Sequence, residues 1–305
     1  MDIIIIGTSQ IIEHHINCLQ KLKFNIIAIC STNIKSKNYL LLKKKYKIKN
    51  AFNSIDNLII FAKNQKKFSF FLAPRIIDSE KILLHCLKFK QKIFIEKPIS
   101  NNLNFFKKIS KYKKLIFVGY NRLFYNNVIY LTNKLRNKKN LFIEVSCAEN
   151  NKKDILTNSC HIISILLKIF DDFKILDIKK NKNYIFVQSQ TKNHDFMLIK
   201  FNFKAAENFE IKIIDKNLVY LFKPIERLLI YKGLKKVLIN KINYYIPNKI
   251  KEIDEFKIDI YKPGFLNQVK LFKKFIKYDK PILNNIKFAE KVSKLCNQIY
   301  GKKFF

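Results

Sequence analysis

The sequence predicts an α/β protein with two domains: an N-terminal doubly wound parallel sheet, and a C-terminal α+β domain with a largely antiparallel, open sheet. In the first 120 residues, short apolar runs alternate with segments of helical spacing, which is typical of βαβ units. Between about residues 173 and 235, short runs of alternating polarity follow one another, as in antiparallel sheets. The length of 305 residues fits two domains, which we assign to residues 1–121 and 122–305.

The individual elements follow from the spacing of apolar residues. Residues 3–6 form a continuous apolar run, which predicts a strand buried on both faces. Ile12, Ile16, Leu19 and Leu22 then recur at helical spacing. The same criteria predict strands at 25–30, 68–72, 92–96 and 115–119, and helices at 39–46, 79–89 and 103–112. After the boundary they predict helices at 127–135, 159–170, 265–276 and 286–300.

The formal net charge of +37 raises the question of nucleic-acid binding. The cations are almost all Lys, with Arg only at positions 75, 122, 136 and 227, although Arg is the side chain that reads phosphates and guanine edges through paired hydrogen bonds. Lys is spread along the chain together with Ile, Asn, Phe and Tyr, as a genome rich in A/T codons would also produce. We therefore expect a weak attraction to polyanions and no specific nucleic-acid ligand.

The cysteines and the N-terminus indicate the compartment. The six Cys residues form no CxxC pair and most lie in apolar runs, which predicts buried free thiols in a reducing environment and no metal site. The apolar run at residues 3–6 is too short for a signal peptide or a membrane span, and no later stretch is long enough without a charge. We expect a cytoplasmic protein without a membrane span.

The first strand–helix turn lies where a dinucleotide-binding (Rossmann) fold carries its G-x-G-x-x-G loop. Only Gly7 of the three glycines is present, since Ser9 and Ile12 replace the other two. The N-terminus of the following helix still offers N–H groups and a positive dipole end to a phosphate. An ordinary strand–helix turn would explain the pattern equally well. The candidate cofactor-binding residues here are Gly7, Thr8, Ser9, Gln10 and Ile11.

The end of the second strand bears on the choice of cofactor. NAD-binding folds usually place an acidic residue there for the ribose 2′-hydroxyl, and this chain has none. Ser31 and Thr32 can hydrogen-bond a 2′-phosphate, and Lys35 can neutralise its charge. These residues favour NADP mildly over NAD, although a solvated, lysine-rich loop is an equal alternative.

Glu96, Lys97 and Pro98 end the predicted strand at 92–96. Lys97 is therefore expected at the carboxyl edge of the sheet, where ligands of doubly wound folds bind. A lysine at that position can exchange a proton with a reacting hydroxyl. Its neighbours would fix its direction, and Pro98 can do so through a cis peptide bond.

Several ordered segments together resemble the glucose–fructose oxidoreductase, inositol dehydrogenase and MocA (Gfo/Idh/MocA) family over most of the chain. Gly7 and His15 match the first and last positions of its opening G-x-G-x-x-G-x-x-H pattern, and Glu96-Lys97-Pro98 matches its hallmark. The other matching segments are Ala73-Pro74, Val118-Gly119-Tyr120-Asn121-Arg122, and Pro263-Gly264-Phe265 with Gln268 and Phe272.

The resemblance implies an NAD(P)-dependent enzyme that transfers a hydride between a nicotinamide and the hydroxyl or keto carbon of a sugar, nucleotide sugar or cyclitol, with surface-polysaccharide synthesis as one setting. Lys97 would contact the reacting hydroxyl and the nicotinamide. Arg122 would contact the substrate, or else form a structural ion pair. The resemblance also implies a homodimer or homotetramer. It further implies that the cofactor is bound by Ala73, Pro74, Glu96, Lys97 and Asn121, and that Tyr120 contacts the substrate.

The family's next motif is D-x-x-x-H at the start of a helix. His161 matches, but Thr157 stands four residues earlier in place of the Asp, and Ser164 stands where many members have Asp. On a continuous helix, a residue four positions back shares a face with His161, but a threonine cannot take up a proton near neutral pH. Asp154, two turns back if the helix extends so far, is a possible substitute. The assigned roles are substrate contact for Thr157, and substrate contact and general base for His161.

Three functions remain open. The first is a dehydrogenase or reductase in which Lys97 and His161 act on a carbohydrate-like substrate. The second is a degenerate relative that binds a cofactor or ligand without turnover, as the changes at Ser9, Ile12 and Thr157 suggest. The third is a polyanion-binding protein, which only the net charge favours.

Overall fold

The computed structural model describes residues 1–33, 35–258, 260–279, 283 and 285–301. These residues form two compact units. The first comprises Met1–Asn121 and Gly264–Lys294, and the second comprises Arg122–Pro263 and the chain from Leu295 onward.

The helices and strands follow one another in this order. Up to residue 121, the strands are β1 (Asp2–Ile6), β2 (Asn25–Cys30), β3 (Asn50–Phe52), β4 (Ser69–Leu72), β5 (Ile93–Glu96) and β6 (Ile116–Gly119), and the helices are α1 (Gln10–Lys21), α2 (Asn38–Tyr46), α3 (Ile55–Lys63), α4 (Ile76–Leu87) and α5 (Leu103–Ile109). The second unit adds α6 (Asn126–Leu135), β7 (Phe142–Glu149), α7 (Asp154–Thr157), α8 (Cys160–Phe170), β8 (Phe173–Lys180), β9 (Tyr184–Thr191), β10 (Phe196–Phe203), β11 (Glu210–Asp215), β12 (Leu218–Phe222), β13 (Arg227–Ile239) and β14 (Ile242–Asp254). The last helices are α9 (Phe265–Tyr278) and α10 (Ile286–Tyr300).

The first unit contains a parallel sheet with strand order β3-β2-β1-β4-β5-β6. This order reverses direction between β1 and β4, which is the arrangement of a dinucleotide-binding fold. The predicted doubly wound sheet is therefore confirmed. Residues 3–6 are fully buried, as their uninterrupted apolar run requires of a strand covered on both faces.

The second unit contains a sheet with strand order β14-β13-β12-β11-β7-β10-β9-β8. Its neighbouring strands are antiparallel apart from the parallel pair β7 and β10, so the largely antiparallel sheet is confirmed. Burial alternates along β7, where Ile143, Val145 and Cys147 face inward. One face of this sheet is thus buried, while β13 and β14 continue as a two-stranded ribbon beyond it.

Helix α9 belongs to the first unit, although the sequence-based division assigned residues 264–294 to the second domain. The reason is the apolar face of α9. Phe272 packs edge-on against Phe71, Phe94 and Phe117, whose rings project from the parallel sheet. Phe71 and Phe94 are themselves stacked with 4.0 Å between ring centroids. The chain therefore returns to cover the first sheet, and hydrophobic spacing alone does not say which sheet an amphipathic helix will cover.

The cysteines, potential metal ligands and helices can also be compared with the sequence. Cys18, Cys30, Cys86, Cys147, Cys160 and Cys296 are all buried free thiols, as predicted. Burial raises the pKa of the Cys30 thiol to about 12. Within the described ranges, no group of three or more His, Cys, Asp or Glu side chains could hold a metal ion. In that same part of the chain, the helices are too short or too polar to cross a membrane.

Candidate active site

The carboxyl ends of the parallel strands bring several predicted residues to one edge of the first unit. Gly7 follows β1, Ala73 and Pro74 follow β4, and Lys97 follows β5. Because β1 and β4 are the neighbours at which the strand order reverses, this edge is the switch point where doubly wound folds bind ligands. Segments far apart in sequence thus converge on one place.

Gly7 is the point of closest approach between two of these strand ends. Its φ is +118°, and a Cβ at this position would lie 2.1 Å from the Ala73 carbonyl oxygen. The main chain is fixed there by hydrogen bonds from Gly7 N to Cys30 O (2.9 Å) and from Ala73 N to Ile6 O (2.8 Å). Both the backbone angle and the close contact require glycine. This explains why the first glycine of the loop is present when the other two are replaced.

The turn after Gly7 leads into α1 with its N-terminus open. Ser9 is the N-cap residue, but its side chain makes no capping hydrogen bond. Ser9 and Gln10 are exposed, so an anion can reach this uncapped helix N-terminus. A cleft of about 140 Å³ adjoins the turn. Its lining consists of Thr8, Ser9, Gln10 and Glu13 on one side and Asn38, Leu41, Leu42 and Lys45 on the other.

The end of β2 divides the residues predicted to select the cofactor. Ser31 is buried, and its hydroxyl donates to Asn33 O (2.9 Å) and accepts from Asn33 N (3.1 Å). This hydroxyl also accepts from Thr8 Oγ1 (3.4 Å), so it ties the two loops together. Thr32 is half-buried and Lys35 is exposed. Thr32 and Lys35 therefore remain better placed than Ser31 to meet an added phosphate.

Glu96 is held by protein groups through both carboxylate oxygens. Its Oε1 lies 2.7 Å from His15 Nε2, and its Oε2 accepts a 3.3 Å hydrogen bond from Lys97 N. Gly119 makes room for this carboxylate, because a Cβ there would lie 3.0 Å from Oε1. The resemblance matched His15 only as a motif position, and its contact with Glu96 was not predicted.

Other predicted site residues lie directly after β5 and β6. Lys97 is half-buried, and the Lys97–Pro98 peptide bond is cis, as the sequence suggested. Tyr120 and Asn121, which follow β6, are buried. The Tyr120 ring meets Phe288 edge-on at 5.6 Å. The part of the first unit around the strand ends is therefore densely packed.

In the second unit, Arg122 makes the ion pair that the sequence left as one alternative. Its Nη2 lies 3.7 Å from Glu226 Oε1, and its guanidinium lies 5.3 Å from the centroid of the Phe209 ring. The Tyr125 hydroxyl donates to the same Glu226 oxygen at 3.3 Å. Nη1 of Arg122 is also buried and has no hydrogen-bond partner among the described residues. Arg122 thus forms a structural ion pair, and one of its buried N–H groups is left without a partner among the described residues.

The segment before His161 is not one continuous helix. Helix α7 ends at Thr157 and α8 begins at Cys160. Asn158 N still donates to Asp154 O (2.7 Å) as in an α-helix, but Ser159 N donates to the same oxygen (3.1 Å), five residues back. The continuous helix on which Thr157 or Asp154 would share a face with His161 is therefore not formed. The Asp154 carboxylate instead accepts a hydrogen bond from Asn151 N (3.0 Å).

Glu149 is a buried carboxylate beside this turn that the sequence-based prediction missed. It accepts hydrogen bonds from the side chains of Asn158 (2.9 Å) and Ser159, which directly precede α8. The signal was present in the sequence. In the alternating strand at 142–149, Glu149 occupies an inward-facing position where the pattern calls for an apolar residue.

Lys168 is a half-buried charge that the sequence-based prediction also missed. It follows His161 by seven residues, so the two lie on similar faces of α8. Its Nζ donates to the Leu123 carbonyl oxygen and lies 5.6 Å from the centroid of the Phe124 ring. Burial lowers the pKa of Lys168 to about 8. The lysine therefore ties α8 to the turn that carries Arg122.

Solved structures of other proteins share this architecture, although sequence comparisons find no match. No protein-family model and no curated protein matches the sequence. A dehydrogenase structure from Chromobacterium violaceum superposes with a TM-score of 0.78 at 10% identity, covering 98% of this chain and 94% of that one. The UDP-N-acetylglucosamine 3-dehydrogenase GnnA from Acidithiobacillus ferrooxidans gives 0.75 at 11% identity, with 98% and 96% covered. This chain therefore shares the fold of these dehydrogenase structures.

A third structure with this fold is a levoglucosan dehydrogenase in complex with NADH and L-sorbose. It has a TM-score of 0.75 at 10% identity and covers 98% of this chain and 95% of that one. At such identities the likeness concerns the fold. The expected two-sheet dehydrogenase fold is confirmed, and the chemistry has to be argued from the residues of this chain.

Proposed function

We propose that this chain is a nicotinamide-dependent oxidoreductase that transfers a hydride between NAD(P) and the hydroxyl or keto carbon of a sugar, nucleotide sugar or cyclitol. The observation that carries the proposal is the close contact of Gly7 with Ala73 at the switch point of the parallel sheet, with Lys97 at the end of the neighbouring strand β5. Structures of the same fold include a UDP-N-acetylglucosamine 3-dehydrogenase and a levoglucosan dehydrogenase in complex with NADH. Surface-polysaccharide synthesis is one setting for such an activity.

The residues at this edge fit a dinucleotide. The Gly7 backbone contacts Ala73 without an intervening side chain, and the uncapped N-terminus of α1 offers N–H groups to a pyrophosphate. We assign the pyrophosphate to residues 7–11 and the adenosine end to the loop with Thr32 and Lys35. Ala73, Pro74 and Asn121 belong to the nicotinamide end. Glu96, with both oxygens bound by protein, acts there through Lys97.

The chemistry assigned to the protein is proton and charge control. When bound, the nicotinamide supplies the hydride acceptor or donor. The Lys97 ammonium donates a hydrogen bond to the oxygen of the reacting carbon and stabilises its negative charge. We propose that His161 accepts the proton of the reacting hydroxyl, because it matches the histidine of the family's motif. Tyr120, Arg122 and Thr157 remain proposed substrate contacts, and the buried donor Nη1 of Arg122 supports the second of these.

The preference for NADP is part of this proposal. Lys35 is exposed at the end of β2, and no acidic residue follows this strand to repel a 2′-phosphate. We expect Lys35→Ala to weaken NADPH binding about fivefold or more and to leave NADH binding unchanged. Equal effects on the two cofactors would contradict the preference.

A fluorescence titration with NADH and NADPH, followed by turnover assays on a panel of sugars, nucleotide sugars and cyclitols, tests the proposed function. Binding with turnover supports it, whereas no binding at millimolar concentrations contradicts it. Binding without turnover supports the second candidate, a ligand-binding relative. The observation that favours this candidate is Thr157, a side chain that cannot take up a proton near neutral pH, at the position where the family's motif has Asp.

We also propose that the chain works in a reducing compartment such as the cytoplasm and forms a homodimer or homotetramer. The buried free thiols support the compartment. The ribbon of β13 and β14 supports self-association, because an isolated two-stranded ribbon is marginal in water. Both of its faces expose apolar side chains, namely Leu234, Leu238, Ile239, Ile242, Tyr244, Tyr245 and Ile246.

A second copy of this chain is the occupant that fits the ribbon, because a protein strand or face can pair with its open backbone edges, whereas lipid hydrocarbon cannot. Light scattering during gel filtration tests the assembly. Replacing Leu238, Ile239 and Ile242 with Ser should lower the assembly state. The matched control is Ile77→Ser, another exposed apolar residue, which should not. An unchanged assembly in the triple variant would contradict this role of the ribbon.

A further inference from the structure

His15 is a fully buried polar side chain on α1 whose partner is one residue before the proposed catalytic lysine. Its Nε2 lies 2.7 Å from Glu96 Oε1. Three aromatic rings surround the imidazole, with ring centroids 4.7 Å away for Phe71, 5.5 Å for Phe94 and 4.4 Å for Phe265. In such apolar surroundings a hydrogen bond to a carboxylate is strong and directional.

The contacts define which nitrogen carries the proton. Because the Glu96 carboxylate can only accept, Nε2 of His15 is the donor. Nδ1 is buried and has no hydrogen-bond partner among the described residues. His15 is thus built to give one hydrogen bond in one direction.

The Glu96 carboxylate that His15 holds also contacts the main chain. Its second oxygen, Oε2, accepts from Lys97 N (3.3 Å). Gly119 on β6 closes the third side, since a Cβ there would lie 3.0 Å from Glu96 Oε1 and 2.8 Å from Phe94 Cζ. Residues of α1, β5 and β6 therefore together fix the Glu96 carboxylate, immediately before Lys97.

We propose that His15 is a positioning residue for Lys97: it holds the Glu96 carboxylate against the interior, and so keeps it on the Lys97 main chain and off the Lys97 amine. This inference rests on the role proposed for Lys97. Released from His15, the carboxylate could rotate and pair with the neighbouring ammonium. That pairing would withdraw Lys97 from the reacting oxygen. His15 thus supports the site without touching substrate or cofactor.

The test compares two substitutions that differ in one donor. His15→Phe keeps an aromatic ring but removes the hydrogen bond, whereas His15→Gln places an amide donor near the position of Nε2. The first readout is the rate at which N-hydroxysuccinimide acetate modifies Lys97, measured by peptide mass spectrometry relative to exposed Lys182 in the cofactor-free protein. We expect His15→Phe to slow Lys97 labelling about threefold or more, because an ion pair with the released carboxylate would lower the fraction of Lys97 that is unprotonated and reactive. His15→Gln should label at nearly the wild-type rate.

A second substitution separates positioning from general loosening. Adding Glu96→Gln to His15→Phe removes the released charge, so Lys97 labelling should return to the wild-type rate. Gly119→Ala presses on the same carboxylate from β6 and should slow labelling as His15→Phe does. It decides the question if His15→Phe does not fold. Unchanged labelling in the single variants, or slowing that Glu96→Gln does not reverse, would overturn the inference.

Turnover supplies the second readout. We expect kcat of His15→Phe to fall about tenfold or more with the cofactor dissociation constant little changed, because misplacing a reacting group costs rate more than binding. Loss of stability with kcat and labelling intact would reduce the pair to a structural contact and overturn the proposal. If the wild type shows no turnover on any substrate, the proposed function fails, whereas Lys97 labelling still decides whether His15 positions Lys97.

Discussion

Substitution of Gly7 by Ala is the most direct test of how the strand ends are built. The new Cβ would lie 2.1 Å from Ala73 O, and ordinary contact begins near 3.4 Å, so the two chains must separate by about 1.3 Å (3.4 − 2.1). Overpacking of this kind costs about 1–3 kcal/mol. The φ of +118° adds about 1–3 kcal/mol for a residue with a side chain. We therefore expect a loss of about 2–6 kcal/mol in the free energy of unfolding.

The matched control is Gly233→Ala. Gly233 has a φ of +61°, but a Cβ there would meet no atom within 4 Å. It should lose only the cost of the left-handed backbone, about 1–2 kcal/mol. Urea unfolding followed by circular dichroism measures both losses. A titration with NADH, read by its own emission in a chain without Trp, should show at least about tenfold weaker binding for Gly7→Ala only. Equal losses in the two variants, or wild-type NADH binding by Gly7→Ala, would refute this account of the turn.

Two further predictions concern the second unit. Lys168 has its pKa lowered to about 8 by burial, so between about pH 8 and 10 the unfolded chain binds more protons at this site and stability should rise with pH. Lys168→Met should remove this rise, and parallel pH profiles of unfolding free energy in the two proteins would contradict it. Glu149→Ala leaves the side chains of Asn158 and Ser159 without their carboxylate and should cost about 1–3 kcal/mol. Asp177→Ala, an exposed carboxylate on β8, is its control and should change the unfolding free energy by less than about 0.5 kcal/mol.

Residue periodicity predicted most of the fold because burial leaves a direct imprint on it. The second strand was placed at residues 25–30 and the last helix at residues 286–300, and both have those bounds in the structure. The short β3 and the helix α3 were missed. In β3 all three residues, Asn50–Phe52, are half-buried, so neither an apolar run nor an alternation marks the strand.

The candidate site was predictable where a single backbone position carries the chemistry. Gly7 and Lys97 mark strand ends, and strand ends of a parallel sheet meet by topology. Contacts between distant side chains were not predictable in this way. His15 and Glu96, which form a hydrogen bond, are 81 positions apart in the sequence. The hydrogen bond from Ser159 to Glu149 forms at a break between two helices. The sequence predicted a helix at residues 159–170 but gave no sign of the short helix α7 before it.

The central claim is that Lys97 serves nicotinamide chemistry at the edge of the parallel sheet. The most direct measurement compares wild type and Lys97→Ala for cofactor binding and for turnover on the best substrate of the sugar and nucleotide-sugar panel. A general acid or base contributes about 10²–10⁴-fold to a rate, so Lys97→Ala should lose at least about 100-fold in kcat while its dissociation constant for the cofactor changes by less than about tenfold. Undiminished turnover by Lys97→Ala would contradict the claim.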